Sequence, residues 1–455
     1  MQPSVAEKYV EEEIPEITQE FIDSAPPLVK EVIEYQRTID NTKPAFLISS
    51  ALFALSFSKG RNHFIQVLLK KPPIFANCYY LNIGKTGVGK DASMKFLEDI
   101  LTTVYCQDVN AKKKLLSTSL THGIASASGL RHALQDSAHV ALMWDEFGKE
   151  MVKKRLGSNE QEIKALFLEL YSKVNKRLLP KRYSKRPQFG FEEKIIPFPF
   201  FTMMGSTTPD MFSEMADTTA FTDGLLSRFT FFHSASNVGE ELEFAFDDSL
   251  LSNPGDGTVS DVSYRVLTAF EKGLEYYFND PSGDSFGEPT RRRIEVSLDA
   301  KKFLQESWRA QEEHRKNATS AMIAGLHSRF FEKTLSTCVA IADWDKKKDN
   351  FVLDLASAEW AVEIQRRSFK TMKGFLTSAD SGFFGVDTRN ENDIEKGILR
   401  YLSNQGTVTK AKLARGVGFT RSTAKGFNKS LNALVQSGVV EEVRVSKTKL
   451  NYRIC

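Results

Sequence analysis

Residues 79–93 read YYLNIGKTGVGKDAS and carry the spacing G-x-x-x-x-G-K, which is typical of a loop that binds nucleotide phosphates. A mostly apolar run precedes the loop and the stretch MKFLEDILTTVY follows it, which predicts strand, loop and helix in that order. The loop glycines allow backbone N–H groups to surround an anion at the positive end of the new helix. The predicted nucleotide-binding residues are Gly84, Lys85, Thr86, Gly87, Val88, Gly89, Lys90, Asp91 and Ala92.

Two positions of this loop determine how it would hold ATP and Mg²⁺. Lys90 is expected to reach the β- and γ-phosphate oxygens. The next residue departs from the pattern, because Asp91 stands where a Ser or Thr would coordinate magnesium. A carboxylate also binds Mg²⁺ through oxygen, so Asp91 is a predicted metal ligand, whereas Ser93 lies too far along the helix to replace it.

A second acidic motif follows about 55 residues later in HVALMWDEFGKE. The apolar run 140–144 has the length of a buried central strand, which would deliver Asp145 and Glu146 to its carboxyl end. Open α/β sheets bind their ligands at that edge. We therefore predict that Asp145 holds the magnesium shell and that Glu146 polarises the attacking water.

A third apolar strand is predicted at PFPFFTMMGSTTP, with Ser206, Thr207 and Thr208 at its end. A hydroxyl there could contact the γ-phosphate or the attacking water, and this role is assigned first to Thr208 and then to Thr207. The alternative is a strand that simply stops at a Ser/Thr turn before Pro209.

The composition is that of a soluble protein of two or three domains, with 455 residues, 41% apolar and 26% charged. No apolar run approaches the ~18 residues of a membrane span, and the acidic start MQPSVAEKYVEEEIPE has no signal-peptide core. We therefore expect a cytoplasmic protein without a membrane partner. The four cysteines are scattered without metal-ligand spacing and are expected to be reduced.

The net charge of +3 conceals an uneven distribution. Residues 392–455 hold twelve Lys or Arg and four Asp or Glu, so the basic charge is concentrated in the last segment. Such a segment indicates nucleic acid as a partner. Three helices and a strand-turn-strand are predicted there, the pattern of a winged helix, with Arg421, Lys425 and Lys429 on one face of its third helix. Winged helices also bind proteins, so that alternative stays open.

Arg228 stands in GLLSRF, just before the predicted last core strand FTFFH. The run PPLVKEV…GKTGVGK…DEFGK…GSTTP…DGLLSRF resembles the AAA+ helicase modules of phage, plasmid and mobile-element replication proteins. These modules are similar to superfamily 3 and minichromosome-maintenance-like helicases, and the resemblance covers about residues 26–345. The fold class it implies is α/β, a P-loop AAA+ three-layer core with a helical lid, to which the sequence adds the C-terminal winged helix.

The resemblance also implies roles for two arginines. Arg228 would be an arginine finger that completes the neighbouring subunit's site, which requires a ring, whereas its alternative is a salt bridge that caps a helix. Arg329 lies in an R-x-x-E setting of a predicted lid helix and would be a second sensor of the γ-phosphate. Its alternative is a pair with Glu332 on the same helix.

An insertion separates the Asp-Glu strand from the third strand. Residues 173–186, KVNKRLLPKRYSKR, carry seven basic residues and no acidic one, and the segment of about 177–197 is predicted to form a β-hairpin. The resemblance implies that such a hairpin lines the pore of a ring and grips DNA. The predicted contacts are Lys181, Arg182, Lys185, Arg186 and, by stacking, Phe189. A solvated basic loop is the alternative.

Five segments are predicted along the chain. They are an N-terminal helical segment at 1–60, the ATPase core at 61–240, a helical lid at 241–377, a linker at 378–391 and the winged helix at 392–455. Additional strands are predicted at 64–69 and 114–120. The expected function is an ATP-driven DNA helicase that works as a ring, expected to be a hexamer, in the replication of a mobile or viral genome. A separate primase or single-strand-binding protein is an expected partner. A replication initiator or DNA-remodelling ATPase is the first alternative, and an ATP-dependent regulator the second.

Overall fold

The computed structural model describes residues 17–39, 42–67, 71–105, 108, 110, 113, 115–153, 158–180, 194–216, 224–234, 262–278, 289–318, 321–378, 391–417, 424–444 and 450–454. Two compact units divide the chain, the first formed by Met1–Met215 and Gly224–Thr371, the second by Ala216–Asp223 and Met372–Cys455. Among the described residues, no helix combines the length and the apolar content that crossing a membrane requires.

The α-helices are α1 (Gln19–Asp23), α2 (Pro27–Ile39), α3 (Pro44–Lys59), α4 (Lys90–Val104), α5 (Ala127–Asp136), α6 (Phe147–Lys153), α7 (Ser158–Tyr171), α8 (Pro209–Ala216), α9 (Tyr264–Phe278), α10 (Leu298–Lys316), α11 (Ala321–Ile341), α12 (Leu355–Ser378), α13 (Glu391–Gln405), α14 (Lys410–Gly416) and α15 (Ala424–Gln436). The strands are β1 (His63–Phe64), β2 (Tyr79–Gly84), β3 (Leu120–His122), β4 (His139–Trp144), β5 (Arg177–Leu178), β6 (Ile196–Pro197), β7 (Phe200–Thr207), β8 (Phe229–Ser234), β9 (Arg292–Arg293), β10 (Glu295–Val296), β11 (Asp343–Asp345), β12 (Asn350–Leu353), β13 (Val408–Thr409), β14 (Val440–Arg444) and β15 (Leu450–Ile454).

The first unit is built around a five-stranded sheet in the order β3-β4-β7-β2-β8, and every neighbouring pair is parallel. The strand before the glycine loop therefore lies between the third predicted strand and the last one. Parallel strands joined by helical crossovers define an α/β protein, so the α/β part of the predicted fold class is confirmed.

Helices cover both faces of this sheet, because alternate residues of a strand point to opposite sides. Tyr79 packs edge-on against Phe167 of α7, whereas its neighbour Tyr80 meets Phe53 of α3 at a ring distance of 6.4 Å. The α3 helix is buried along almost its whole length, which explains why apolar residues surround it on every side. The central strands are buried throughout, as expected for a sheet covered on both faces.

Two predicted strands are different in the structure. The 64–69 segment contributes only Phe64 to β1, which pairs with β9 outside the main sheet. In the 114–120 segment, residues 115–119 form a π-helical turn, and the edge strand begins only at Leu120. A small sheet in the order β10-β12-β11, which the sequence reading missed, lies within the predicted lid region.

The second unit contains α13, α14 and α15 with the antiparallel sheet β13-β15-β14. Its core collects apolar residues from all three helices and from the sheet. Phe427, Leu431 and Leu434 of α15 are buried in that core, which is the face that helical spacing predicts. Residues 379–390, most of the predicted linker, lie outside the described residues.

A buried lysine of the first unit gives a prediction about stability. Lys59 ends α3, its Nζ lies 3.4 Å from the centroid of the Phe351 ring, and no described residue accepts a hydrogen bond from it. Burial lowers the pKa of Lys59 to about 7, against the smaller opposing effect of Asp343. Because the folded chain binds fewer protons than the unfolded chain above that pH, stability is expected to rise between about pH 7 and 10, by up to about 1.4 kcal/mol per pH unit.

Lys59→Met should flatten this rise, since its side chain has no proton to lose on folding. Urea unfolding at pH 7, 8 and 9 measures the slope, and Lys95→Met, at an exposed position of α4, is the control. An unchanged slope in Lys59→Met would show that the ammonium is not desolvated in the folded protein.

Candidate functional site

The carboxyl ends of the parallel strands bring the predicted chemical residues to one edge of the sheet. In the register of the sheet, Asn82 lies opposite Ser206, and Trp144 lies opposite Gly205. Asp145 therefore follows β4 next to the end of β7, while the glycine loop leaves β2 one strand further along. The candidate site is this edge, where an α/β sheet places ligands.

The loop between β2 and α4 has the backbone that its glycines allow. Gly87 and Gly89 adopt φ values of 84° and 81°, in the left-handed region. A Cβ on Gly89 would lie 2.4 Å from Oγ1 of Thr42, which donates a hydrogen bond of 2.9 Å to the Gly89 carbonyl. The loop is thus held against the segment before α3, and α4 begins immediately after it, at Lys90.

Lys90 is folded back onto the loop. Its Nζ donates to the carbonyls of Gly84 and Lys85, the latter at 2.8 Å, and only 8% of the residue is exposed. Burial lowers the pKa of Lys90, while the charges of Asp91 and Asp145 oppose that effect. The ammonium thus lies at the centre of the loop, close to both predicted metal ligands.

The other predicted loop residues divide by exposure. Lys85, Thr86, Gly87 and Asp91 are exposed, Ala92 is half-buried, and Val88 is buried against the core. Ser93 is also buried: its Oγ accepts from Asn82 at 2.9 Å and donates to the Lys90 carbonyl at 2.6 Å. Its hydroxyl therefore belongs to the packing beneath the loop.

Asp145 is held by two hydrogen bonds to the same oxygen. Its Oδ1 accepts from the backbone N–H of Glu146 at 2.7 Å and from the hydroxyl of Ser206, which is 1% exposed. Oδ2 accepts no hydrogen bond from the described residues, so only one carboxylate oxygen is held by the protein there. The sequence named Ser206 among three hydroxyls but ranked it behind the two threonines.

Glu146 occupies a backbone conformation that is uncommon for its residue type. Its φ is 50°, in the left-handed region. The hydrogen bond from its N–H to Asp145 closes this turn, and its Oε2 lies 2.6 Å from Nζ of Lys149 on the exposed edge. Strained positions of this kind concentrate at functional sites, which supports a chemical role for Glu146.

The two threonines after Ser206 have structural contacts. Thr207 is buried, and a Cβ on Gly148 would lie 2.2 Å from its Oγ1, so Gly148 permits β7 to pack against α6. The Oγ1 of Thr208 accepts from the N–H of Met211 at 3.4 Å, in the first turn of α8. That contact corresponds to the Ser/Thr turn that the sequence left as the alternative.

The two arginines lie at the opposite edge of the sheet. Arg228 immediately precedes β8, whose first residue, Phe229, pairs with Tyr79 at the start of β2. Because β2 has six residues, the two edges are about 16 Å apart at about 3.3 Å per residue. Arg228 therefore does not approach its own glycine loop along this strand.

Arg329 joins Arg228 around one tyrosine. The Arg228 guanidinium lies 5.5 Å from the centroid of the Tyr171 ring and donates to the Gly224 carbonyl at 2.6 Å. Arg329 forms an ion pair with Glu332 at 2.6 Å, as its alternative interpretation predicts. Burial lowers the pKa of Arg228 and the neighbouring charge of Arg329 lowers it further, so both arginines, Tyr171 and Glu332 form one cluster.

The predicted nucleic-acid contacts are mostly beyond what the structure describes. Lys181, Arg182, Lys185, Arg186 and Phe189 fall in 181–193, and Arg421 falls in 418–423, both outside the described residues. The ends of the basic insertion are described: β5 and β6 pair antiparallel, with Leu178 opposite Ile196. In α15 Lys429 is exposed, whereas the side chain of Lys425 is not described.

Protein-family models and curated proteins were compared with the chain, and neither comparison found a match.

The contact between Ser206 and Asp145 gives a prediction. Ser206→Ala removes one of the two donors that orient the carboxylate. We therefore expect the Mg²⁺ concentration for half-maximal ATP hydrolysis to rise about tenfold, with little change in folding. A titration of phosphate release against Mg²⁺ measures this. Thr202→Val is the matched control, because Thr202 lies on the same strand and its hydroxyl donates to the Cys78 carbonyl at 2.7 Å, away from the site. Equal Mg²⁺ dependence in Ser206→Ala and wild type would contradict the positioning role.

Proposed function

We propose that the chain is an ATP-driven DNA helicase of the AAA+ class that works as a ring, with the second unit as a winged helix that binds DNA. The observation that carries the proposal is the arrangement of one sheet. A glycine loop with Lys90, Asp145 and Glu146 lies at its carboxyl edge, whereas Arg228 and Arg329 lie together at the other edge. A site and its arginines on opposite edges suit subunits that stack head to tail.

The residues of the carboxyl edge fit ATP with magnesium. Left-handed glycines and the start of α4 suit phosphate oxygens, and Lys90 can exchange its two carbonyl contacts for them. Asp145 and Asp91 would hold Mg²⁺, which accepts oxygen ligands and keeps several waters. When bound, the ion neutralises the developing charge on the phosphates. Glu146 would then leave Lys149 and orient the attacking water.

The arginine cluster supports action between subunits. Arg228 and Arg329 carry two positive charges that their own subunit uses only partly, since Glu332 balances one of them. In a head-to-tail ring this edge would face the neighbour's ATP, where arginine stabilises the charge of phosphoryl transfer. Both arginines would then serve in trans, which changes the role of Arg329 from a sensor of its own nucleotide.

The partner proposed for this ring is single-stranded or forked DNA. The basic insertion is closed at its base by β5 and β6, as a hairpin requires, and the second unit carries the excess of positive charge. A loading partner, primase or single-strand-binding protein belongs to the same proposal, because a replicative helicase works with them.

Strand displacement on forked DNA with 3′ or 5′ tails tests the proposal. ATP-dependent unwinding of one polarity is the expected result, with ATP hydrolysis stimulated by single-stranded DNA. An assembly on duplex DNA that hydrolyses ATP without displacing a strand would indicate an initiator instead. Hydrolysis that DNA does not stimulate would favour an ATP-dependent regulator.

A further inference from the structure

A cavity of about 820 Å³ opens in the first unit beside the amino-terminal end of β2. Its walls come from the chain around β1, the end of α7 and the turn after it, and facing sides of α10 and α11. None of the proposed nucleotide ligands lines it. Its volume lies within the range of about 300–1,000 Å³ that is usual for ligand sites.

One wall of the cavity is aromatic and accessible to solvent. Trp308 of α10 is 41% exposed, which is unusual for so large an apolar side chain. Leu304 and Lys301 line the same cavity one and two turns before it, so a single face of α10 forms the wall. Phe331 of α11 adds a half-buried ring.

The charge of the lining is positive and unbalanced. The two lining carboxylates are neutralised, because Glu312 binds Arg315 at 2.9 Å and Glu332 binds Arg329 at 2.6 Å. The lining cations are Lys71, Arg293 and Lys301. Within the part of the chain that the structure describes, none of these three forms an ion pair. An anion with flat apolar groups is therefore the ligand that the cavity suits.

We infer that this cavity binds a segment of single-stranded DNA, with a base stacked on Trp308 and phosphates on Lys301, Arg293 and Lys71. The inference rests on the proposed helicase function and adds a second contact to it. Val174 and Asn175 line the cavity and lead directly into β5, the base of the basic insertion. The described base of the insertion therefore adjoins the wall of the cavity.

This adjacency favours a strand over a free nucleotide or an acidic peptide. A mononucleotide would use one base and one phosphate group, whereas the cations lie on three separate segments of the chain. An acidic peptide would match the cations but leave the indole without a stacking partner. The cavity also shares Tyr171 and Glu332 with the arginine cluster, so a bound strand lies against the residues that hold Arg228 and Arg329.

Tryptophan fluorescence of the full chain, without ATP, reports directly on the cavity. A thymidine oligonucleotide should quench the part of the emission that Trp308→Phe removes, because the other tryptophans are buried or half-buried. Anisotropy of the labelled oligonucleotide gives affinity. Trp308→Ala should weaken binding about tenfold, whereas Trp308→Phe, which keeps a ring for stacking, should stay within about twofold of wild type.

Charge reversal next to the indole supplies a matched pair. Lys301→Glu should weaken binding about tenfold and reduce its salt dependence, since one phosphate contact is lost. Lys302→Glu is the control, because Lys302 is also exposed on the same helix but does not line the cavity. It should bind like wild type.

Four results would overturn the inference. If the oligonucleotide saturates the anisotropy signal without quenching Trp308, DNA binds elsewhere, and the helicase proposal survives alone. If wild type binds no oligonucleotide, both proposals fail. If AMP or an acidic peptide quenches Trp308 at the concentrations at which the oligonucleotide does, the cavity recognises a different class of ligand. If Lys301→Glu changes the size of the assembly but not the quenching, the cavity is an interface between copies.

Discussion

Glu146→Gln is expected to bind ATP normally and to lose hydrolysis, whereas Lys90→Ala loses binding itself. The structure separates the two residues by role: Nζ of Lys90 lies on the carbonyls of the loop, and the Glu146 carboxylate lies on the exposed edge beside Lys149. A glutamine keeps the size and polarity of the side chain but cannot accept a proton. A group that orients or deprotonates water contributes about 10²–10⁴-fold to rate.

Equilibrium binding of a fluorescent ATP analogue and single-turnover phosphate release measure the two steps separately. The rate of release should fall at least about 10²-fold in Glu146→Gln while the dissociation constant stays within about twofold. Glu98→Gln is the control, since Glu98 is exposed on α4 and pairs with His122 at 3.8 Å rather than with the loop. Equal losses of ATP affinity in Lys90→Ala and Glu146→Gln would remove the assignment of these roles.

The sequence predicted best those elements that depend only on neighbouring residues. The apolar runs at β2, β4, β7 and β8 have the length of strands and no helical period, and the structure has strands at each. The run 64–69 has the same composition, yet among its described residues, 64–67, only Phe64 belongs to a strand. That strand, β1, pairs with β9, more than 220 residues later. Composition alone does not contain that pairing.

The same limit applies to the candidate site. Which of three consecutive hydroxyls contacts Asp145 depends on where β7 ends, and a shift of one residue turns a side chain to the other face. The structure ends the strand at Thr207, which leaves Ser206 on Asp145 and Thr208 at the start of α8. One local signal could have favoured Ser206. Pro209 marks the start of a helix, so Thr208 was available to cap that helix, and Ser206 is the hydroxyl that remains on the strand two residues earlier.

Arg329 illustrates the difference between local and distant contacts. Its pair with Glu332 follows from three-residue spacing on a helix, and the structure forms it. Its approach to Arg228 spans about a hundred residues of sequence and depends on how α11 packs against the turn before β8, so no local pattern indicates it. That packing is what places both arginines on one edge.

Arg228→Ala is expected to lose most ATP hydrolysis alone and to recover part of it when mixed with Lys90→Ala. An arginine that acts on phosphoryl transfer contributes on the order of 10³-fold or more to rate in other NTPases. Arg228 precedes β8 at the edge away from its own loop, so the ATP it serves must belong to a neighbour. In an equal random mixture, about a quarter of the interfaces join an intact loop to an intact arginine.

The matched control mixes Lys90→Ala with Glu146→Gln. Both variants keep Arg228 but lack a working site, so no interface in their mixture can hydrolyse ATP, however well the subunits assemble. Recovery in the first mixture and none in the second is the expected pair of results, with co-assembly verified by differently tagged subunits. Full activity of Arg228→Ala alone, or no recovery in mixtures that co-assemble, would remove the finger and with it the main reason for a ring, since the remaining residues form a site that one subunit completes.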